Sequence, residues 1–165
     1  MSERAFDPLK ALETLNRHGV RYVLIGGFAG KLHGSTILTV DIDICYARDP
    51  ENLELLVAAL RELHPTLRGA PDDLPFRLDA MTIRNGDAFT FVTDAGDLDI
   101  LGTPAGTGGY EELARTAVRM DLGDVTVDVA SLDDLIAMKR AAGRPRDRAH
   151  LEVLTALRDE VDRAC

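Results

Sequence analysis

The strongest constraint on this chain is a pair of aspartates, Asp41 and Asp43, inside an otherwise apolar run over residues 40–45. The run is short and rich in branched apolar residues, which is typical of a buried strand. Side chains alternate across a strand, so the two aspartates share one face while Ile42 and Ile44 share the other. Neighbouring carboxylates repel each other and lose hydration. A divalent metal ion is the commonest compensation, and the pair therefore predicts a metal site.

An alternative is open for the aspartate pair, because charged residues also occur on exposed edge strands, where they deter aggregation. The apolar residues around Asp41 and Asp43 favour a central strand instead. Asp99 lies inside a second predicted strand and is a candidate third ligand, whereas Asp97 is assigned to the preceding turn. Three carboxylates from adjacent strands can hold two Mg²⁺ ions roughly 3.5–4 Å apart, which suits in-line attack on a phosphoryl group.

Gly26 and Gly27 stand between an apolar run and a short predicted helix. Glycines in this place let a phosphate group approach the backbone, where amides at the helix start can bind it. The same pattern is often only a tight turn. The glycine pair alone therefore leaves both interpretations open.

Length and composition limit the class of protein. The 165 residues predict one domain, 1–165, with a core at about 8–130 and a C-terminal helical segment at 131–165. No run is apolar enough to span a membrane, and the polar N-terminus lacks the apolar stretch of a signal peptide. Cys45 and Cys165 match neither a disulfide framework nor a zinc pattern, so both are expected to be free thiols in a cytoplasmic protein.

The charge of the chain is acidic overall and basic in one place. The net charge of −9 argues against broad, non-specific attraction to nucleic acid. Residues 139–148 nevertheless contain five basic residues and a single acid, Asp147. This cluster predicts a site for a small polyanion, although Arg140, Arg144 and Arg148 are also expected to be solvated, as surface charges usually are.

The hydrophobic pattern predicts a mixed α+β order. Helices are predicted over 8–17, 28–33, 50–60, 110–117, 131–142 and 147–163. Strands are predicted over 21–25, 40–46, 81–84, 89–93, 98–101, 119–122 and 125–129, with loops over 65–75 and 102–109. Several strands follow one another in the middle of the chain, which favours an α+β fold over a regularly alternating parallel sheet.

Several of these features together form a recognisable set. The glycine pair, the helix ending His33-Gly34 and the segment Thr39-x-Asp41-Ile42-Asp43-Ile44 resemble the signature of the nucleotidyltransferase superfamily with a DNA polymerase β type of core. The chain is most similar to the small bacterial nucleotidyltransferases related to the AbiEii type of toxin, also called MNT-like. The segments Asp134 to Lys139 and Gly143 to Asp147 are similar to the Lys…Arg-x-x-Asp motif of that group.

The resemblance implies a fold and a set of roles. The fold would be a mixed β-sheet flanked by helices, with C-terminal helices closing the cleft. Asp41, Asp43 and Asp99 would bind Mg²⁺, with two ions expected and Mn²⁺ a possible substitute, and Asp99 would help to deprotonate the acceptor hydroxyl. The remaining implied role is NTP binding, by Gly26, Gly27, Thr39, Lys139, Arg146 and Asp147. Asp147 would orient Lys139 or a neighbouring arginine.

The chain also departs from its apparent relatives. They often carry a Pro-Arg pair where this chain has Thr36 and Ile37, and a second acid where it has His150. The sequence is therefore consistent with two hypotheses about function. The first is an enzyme that moves an NMP from an NTP to a hydroxyl of a tRNA, a protein or a small molecule, in a toxin–antitoxin system with a cognate partner. The alternative is a catalytically inactive module that senses nucleotides or binds a partner.

Overall fold

The computed structural model of the chain describes residues 5–71 and 73–164. Cys165, one of the two predicted free thiols, lies outside these ranges, whereas Cys45 is a buried free cysteine. The helices are α1 (Pro8–Arg17), α2 (Gly26–Leu32), α3 (Pro50–Glu62), α4 (Ala80–Asn85), α5 (Tyr110–Thr116), α6 (Leu132–Ala142) and α7 (Arg148–Ala164), and a short 3₁₀ turn spans Pro145–Asp147. In the described part of the chain, no helix is both long and apolar enough to cross a membrane.

The strands form one mixed sheet flanked by helices, which confirms the predicted α+β class. They are β1 (Tyr22–Ile25), β2 (Asp41–Tyr46), β3 (Thr66–Leu67), β4 (Ala88–Thr93), β5 (Gly96–Leu101), β6 (Val118–Asp121) and β7 (Thr126–Val129). Their order across the sheet is β3-β4-β5-β2-β1-β7-β6. Strand β2 lies between β1, to which it is antiparallel, and β5, to which it is parallel. The aspartate strand is therefore central, and the edge-strand alternative is wrong.

The apolar residues of β2 explain why this strand is central. Ile42 and Ile44 are almost completely buried and belong to the hydrophobic core, together with Leu12 of α1 and Leu56 of α3. Burying an aliphatic side chain stabilises a fold by about 1.5–3 kcal/mol. One face of β2 therefore anchors the sheet to its helices, while the other is left for Asp41 and the residues beside it.

Local signals set most helix ends as predicted. Helix α3 begins after Asp49, whose side chain accepts a hydrogen bond from the Asn52 backbone N–H at 3.2 Å. Helix α6 begins after Ser131, whose hydroxyl accepts from the Asp134 backbone N–H at 3.1 Å. It ends at Gly143, which has the left-handed conformation, with a φ of 62°, that glycine adopts without steric cost.

Several predicted elements differ from the structure. The predicted strand 81–84 is helix α4, because Asp79 caps its start by accepting from the Thr82 backbone N–H at 2.8 Å and Ile83 packs into the core. The predicted loop 65–75 contains the short strand β3. Asp97 belongs to strand β5 and not to a turn. Helix α2 begins at the glycine pair itself and not after it.

A buried asparagine joins helix α3 to the ends of strands β1 and β2. Asn52 of α3 is fully buried, and its Oδ1 accepts a hydrogen bond from the Arg21 backbone N–H at 2.7 Å. Its Nδ2 donates to the backbone carbonyls of Arg21 at 3.0 Å and Ala47 at 2.8 Å. Because Arg21 precedes β1 and Ala47 follows β2, this side chain ties the ends of both strands to α3.

We predict that Asn52→Ala lowers the free energy of unfolding by roughly 2–4 kcal/mol, because it removes three hydrogen bonds of a fully buried side chain and takes the Asn52 partner away from the buried Ala47 carbonyl and from the Arg21 N–H. Denaturant unfolding followed by circular dichroism measures the change. The exposed Asn85, at the end of α4, is the matched control, and its substitution by alanine should cost less than about 0.5 kcal/mol. Equal effects of the two substitutions would contradict the role given to Asn52.

Candidate active site

Four carboxylates lie side by side on one face of the sheet. The parallel register of β2 and β5 pairs Asp41 with Asp97 and Asp43 with Asp99. Because side chains alternate along a strand, all four point to the same side. Asp41, Asp43 and Asp99 each offer one oxygen, and these oxygens lie within 4.8 Å of one another. We refer to these three residues as the acidic triad, and the structure thus brings together the three acids selected from the sequence.

The electrostatics of the triad are unfavourable in the absence of a cation. Burial, the charges of Asp41 and Asp99 and a hydrogen bond with Asp99 raise the pKa of Asp43 to about 8, against the opposing charge of Lys139. A buried carboxyl group keeps its proton above its ordinary range because its charge would lose hydration, and the neighbouring carboxylates add repulsion to that cost. The triad is therefore an arrangement that a bound cation would relieve.

The residues present fit a hard divalent ion. Mg²⁺ and Mn²⁺ prefer carboxylate oxygens, and the triad supplies one from each of three side chains. Gly26 keeps the approach open, because a Cβ atom at this position would overlap the Asp43 carboxylate. Gly26 also has a φ of 77°, which favours glycine. The acidic triad could thus hold metal, and its donor chemistry does not select one ion.

The second glycine faces a different set of residues. A Cβ atom on Gly27 would lie 3.0 Å from Oγ1 of Thr39 and 3.8 Å from Cε1 of His150. The Thr39 hydroxyl donates to Oδ1 of Asp41 at 3.3 Å. Thr39 thus links the glycine pair to the triad. Burial and the nearby charge of Lys139 lower the pKa of His150, although Asp147 opposes the shift.

A cavity of about 350 Å³ opens beside the triad. Gly26, Asp43 and Asp99 line one part of it, and Lys139 and Arg144 line another. The remaining wall is largely apolar and comes from the ends of β1 and β5, the loop after β5 and helices α6 and α7, through Ile25, Leu101, Pro104, Ala105, Leu135, Met138, Ala142 and Leu154. The C-terminal helices thus close the cleft, as predicted, and the cavity offers acidic, basic and apolar surfaces to one ligand.

Asp147 holds the two basic residues of the cavity. Its side chain is only 7% exposed and accepts from Nζ of Lys139 at 3.2 Å and from Nε of Arg144 at 2.7 Å. Burial favours the neutral acid, but the hydrogen bonds from Arg144 and Lys139 outweigh it and hold the pKa of Asp147 below its ordinary value. Asp147 is therefore a buried anion that orients two cations toward the cavity. Arg144, which was expected to be solvated, is half-exposed and ion-paired.

Two other residues named from the sequence lie away from the triad. Arg146 is exposed on the 3₁₀ turn, and within the residues that the structure describes it does not line the cavity. Its contact with a nucleotide stays a prediction. His33 is bonded through Nε2 to the backbone carbonyl of Ala130 at 2.8 Å, so it has the structural role that is commonest for a histidine near a helix end.

One residue at the site carries no signal in the sequence. Arg68 follows β3, and its Nη2 donates to Oδ1 of Asp99, while its Nε lies 3.4 Å from Oδ2 of Asp97. It lies in the segment predicted as a loop, far from every motif along the chain. Strand β4 lies between β3 and β5, and only this strand order brings Arg68 to the acids of β5.

With the geometry described, comparison with known proteins identifies the fold. No protein-family profile matches the sequence. No curated protein sequence matches it significantly. Solved structures do match. The lincosamide antibiotic adenylyltransferase LnuA, determined with lincomycin bound, has a TM-score of 0.60 at 16% identity, over 91% of this chain and 95% of LnuA. The chain has the nucleotidyltransferase fold.

Two further solved structures agree. The antibiotic-resistance factor ANT(2'')-Ia matches with a TM-score of 0.57 at 17% identity, over 93% of this chain and 82% of that one. The Thermotoga maritima protein TM1012, provisionally assigned as a nucleotidyltransferase, matches with a TM-score of 0.52 at 15% identity, over 94% of this chain and 91% of its own. At these identities the likeness establishes the fold, and the AbiEii-type subgroup stays a prediction.

The raised pKa of Asp43 predicts how the stability of the metal-free protein depends on pH. The folded state binds the Asp43 proton more tightly than the unfolded state does, so this group contributes stability below pH 4 that is lost as the pH rises toward about 8. We expect Asp43→Asn, which removes the charge, to be more stable than the wild type above pH 8 in EDTA. The difference should shrink below pH 5.

Denaturant unfolding in EDTA across this pH range measures the effect. Asp162→Asn, at an exposed position near the end of α7, is the control and should leave the pH profile unchanged. Wild-type stability that is flat between pH 5 and pH 9, with no gain in Asp43→Asn at high pH, would contradict the electrostatic description of the triad.

Proposed function

We propose that this protein is a Mg²⁺-dependent nucleotidyltransferase that moves an NMP from an NTP to an acceptor hydroxyl and releases pyrophosphate. The convergence of the acidic triad beside a cavity with basic residues on another side carries this proposal. The nucleotidyltransferase fold supports it. On this proposal residues 1–165 act as one domain, because α6 and α7 line the same cavity as β2 and β5.

The proposed roles follow from where each residue lies. Mg²⁺ held by Asp41, Asp43 and Asp99 would offset the negative charge of the phosphates and of the group being transferred. Gly26 and Gly27 leave room for the triphosphate near the backbone, and Thr39 orients Asp41 by its hydrogen bond. Lys139 and Arg144, fixed by Asp147, bring positive charge to the cavity that Asp43 and Asp99 also line, where it would stabilise the leaving pyrophosphate.

In the proposed transfer step, residues of the site accept the proton and stabilise the leaving group. The acceptor hydroxyl oxygen forms a bond to the α-phosphorus as the bond to the bridging oxygen of the β-phosphate breaks, and pyrophosphate departs. Asp99 takes the hydroxyl proton, because it lies in the triad and lines the cavity. Lys139 and Arg144 stabilise the charge that develops on the leaving group.

The inactive-module hypothesis is less well supported. A module without catalysis has no need for carboxylates that converge, and the acidic triad does converge. Retaining three mutually repelling acids costs stability, which favours a functional reason for them. The departures at Thr36, Ile37 and His150 bear on how the nucleotide is held and leave the triad intact.

For the acceptor we propose a small molecule that carries a hydroxyl group. The apolar wall of the cavity would suit a compact ligand with an apolar part. The net charge of −9 disfavours a long RNA footprint. LnuA was solved with lincomycin and ANT(2'')-Ia is an antibiotic-resistance factor, so antibiotics with free hydroxyls come first in an acceptor screen. Transfer to tRNA or to a protein in the same screen would favour the predicted toxin–antitoxin role.

We predict that Asp43→Asn lowers the rate of NMP transfer by about 100-fold or more, because it removes one of the three charged oxygen ligands that would hold Mg²⁺. Transfer of the label from each α-labelled NTP to the acceptor, with Mg²⁺ or with EDTA, measures the rate across the acceptor panel, and ATP is tested first. Asp128→Asn is the control, since Asp128 is a half-buried strand carboxylate paired with Arg119 outside the cavity lining. Transfer that persists in EDTA or in Asp43→Asn would refute the mechanism.

We predict that Lys139→Gln weakens binding of a non-hydrolysable ATP analogue by about 10-fold or more, the loss expected for a hydrogen bond to a charged group. Calorimetric titration in Mg²⁺ gives the Kd. Arg140 is the matched control, because it is the next residue of α6 and is exposed. Equal losses in Lys139→Gln and Arg140→Gln would show a general charge effect and not a contact with the nucleotide.

A further inference from the structure

Arg68 contacts one of the three carboxylates that could hold a metal ion. Its Nη2 donates to Oδ1 of Asp99 and to the backbone carbonyl of Phe91, the latter at 3.3 Å. The backbone N–H of Arg68 donates to the carbonyl of Thr90 at 2.9 Å, so the start of the side chain is fixed to β4. The guanidinium therefore reaches over β4 to the acids of β5.

The contact with Asp97 is looser than the contact with Asp99. The Nε atom of Arg68 is buried and lies 3.4 Å from Oδ2 of Asp97, and among the described residues it has no hydrogen-bond acceptor. A buried donor without an acceptor is unfavourable, because it has lost its hydrogen bond to water without gaining another. Arg68 is thus held by Asp99 while a second carboxylate, which is not in the triad, stands nearby with its own charge.

The bond to Asp99 conflicts with metal binding at the triad. A guanidinium hydrogen-bonded to a carboxylate uses lone pairs that a metal ion would need. A positive charge within a few ångströms of a divalent ion also repels it. The protein therefore contains one cation that already offsets part of the charge of the acids before any metal ion arrives.

We propose that Arg68 competes with the divalent ion for Asp99 and so lowers the metal affinity of the triad. This inference rests on the proposed function, which requires metal at the triad. When metal binds, Arg68 releases Asp99 and pairs fully with Asp97, which satisfies the buried Nε. Asp97 is then the residue that receives the arginine, which gives a role to the fourth carboxylate of the sheet face.

Arg68 could instead help metal binding, and the two roles predict opposite changes in metal affinity when Arg68 is removed. An arginine that only fixed the Asp99 side chain for coordination would increase metal affinity, and its removal would weaken binding. Competition predicts tighter binding after removal. The sign of the change in metal affinity therefore separates the two roles, and no catalytic assay is needed.

Mn²⁺ binding by the purified full chain, followed by the electron paramagnetic resonance signal of the free ion, tests the proposal. We expect Arg68→Gln to bind Mn²⁺ about 10-fold more tightly than the wild type, and Arg68→Lys to fall between them because it keeps the charge without the planar fork. The control is Arg17→Gln, which removes an arginine paired with Glu62 on other elements. It should leave the Mn²⁺ affinity unchanged.

Thermal unfolding gives a second readout. In EDTA, Arg68→Gln should unfold at a lower temperature than the wild type, because the acids lose their resident cation, and saturating Mn²⁺ should raise its Tm by more than it raises that of the wild type. In the Arg68→Gln background, adding Asp97→Asn should change the Mn²⁺ affinity less than it does in the wild type. If Arg68→Gln does not fold in EDTA, Arg68→Lys carries the same comparison.

The outcomes distinguish a failure of the competition by Arg68 from a failure of the proposed metal-dependent function. Mn²⁺ affinity that is unchanged or weaker in Arg68→Gln and in Arg68→Lys, with binding to the wild type intact, would overturn competition and leave the proposed function standing. Absence of Mn²⁺ binding in the wild type and in both Arg68 variants would overturn the metal-dependent function and the inference with it. Mn²⁺ binding that tightens equally in Arg17→Gln would also overturn the competition, because it would show an effect of net charge.

Discussion

The parallel pairing of β2 with β5 is the interaction on which the rest of the site depends. Its register sets Asp41 beside Asp97 and Asp43 beside Asp99, so two strands present four carboxylates on one face. Like charges on neighbouring strands oppose sheet formation. The opposite face of β2 compensates, since its isoleucines are buried in the core. Apolar burial on one side of the strand thus holds an unfavourable charge arrangement on the other.

The charge of this face is balanced by cations from two distant parts of the chain. Arg68 comes from the edge of the sheet next to β4 and binds Asp99. Lys139 comes from α6, where the buried Asp147 fixes it together with Arg144. The first cation is bonded to one of the acids, and the second lines the same cavity as Asp43 and Asp99. On the proposed function, the first cation would give way to metal and the second would face the triphosphate.

Much of the candidate site could be predicted from the sequence, because its signals are local. The alternation around Asp41 and Asp43 fixes which face they share, whatever the tertiary structure. The capping residues Asp49 and Ser131 fix where α3 and α6 begin, by hydrogen bonds to the next turn of the same helix. The short segment 81–84 was predicted wrongly, since its residues suit a strand or a helix and the cap at Asp79 decided between them.

The sequence by itself determined which chemical groups the candidate site contains. They are an aspartate pair on a central strand, a glycine pair after another strand, and a basic cluster with one acid near its end. Only the tertiary structure decided that Asp97 joins the acidic face, that Arg144 is half-exposed and paired with a buried Asp147, and that Arg68 reaches Asp99. The contacts of Asp97 and Arg68 join residues far apart in the chain, and they depend on strand order and register, which no local pattern of side chains encodes. Arg144 and Asp147 are only three residues apart, but the burial of Asp147 is set by the packing of the fold.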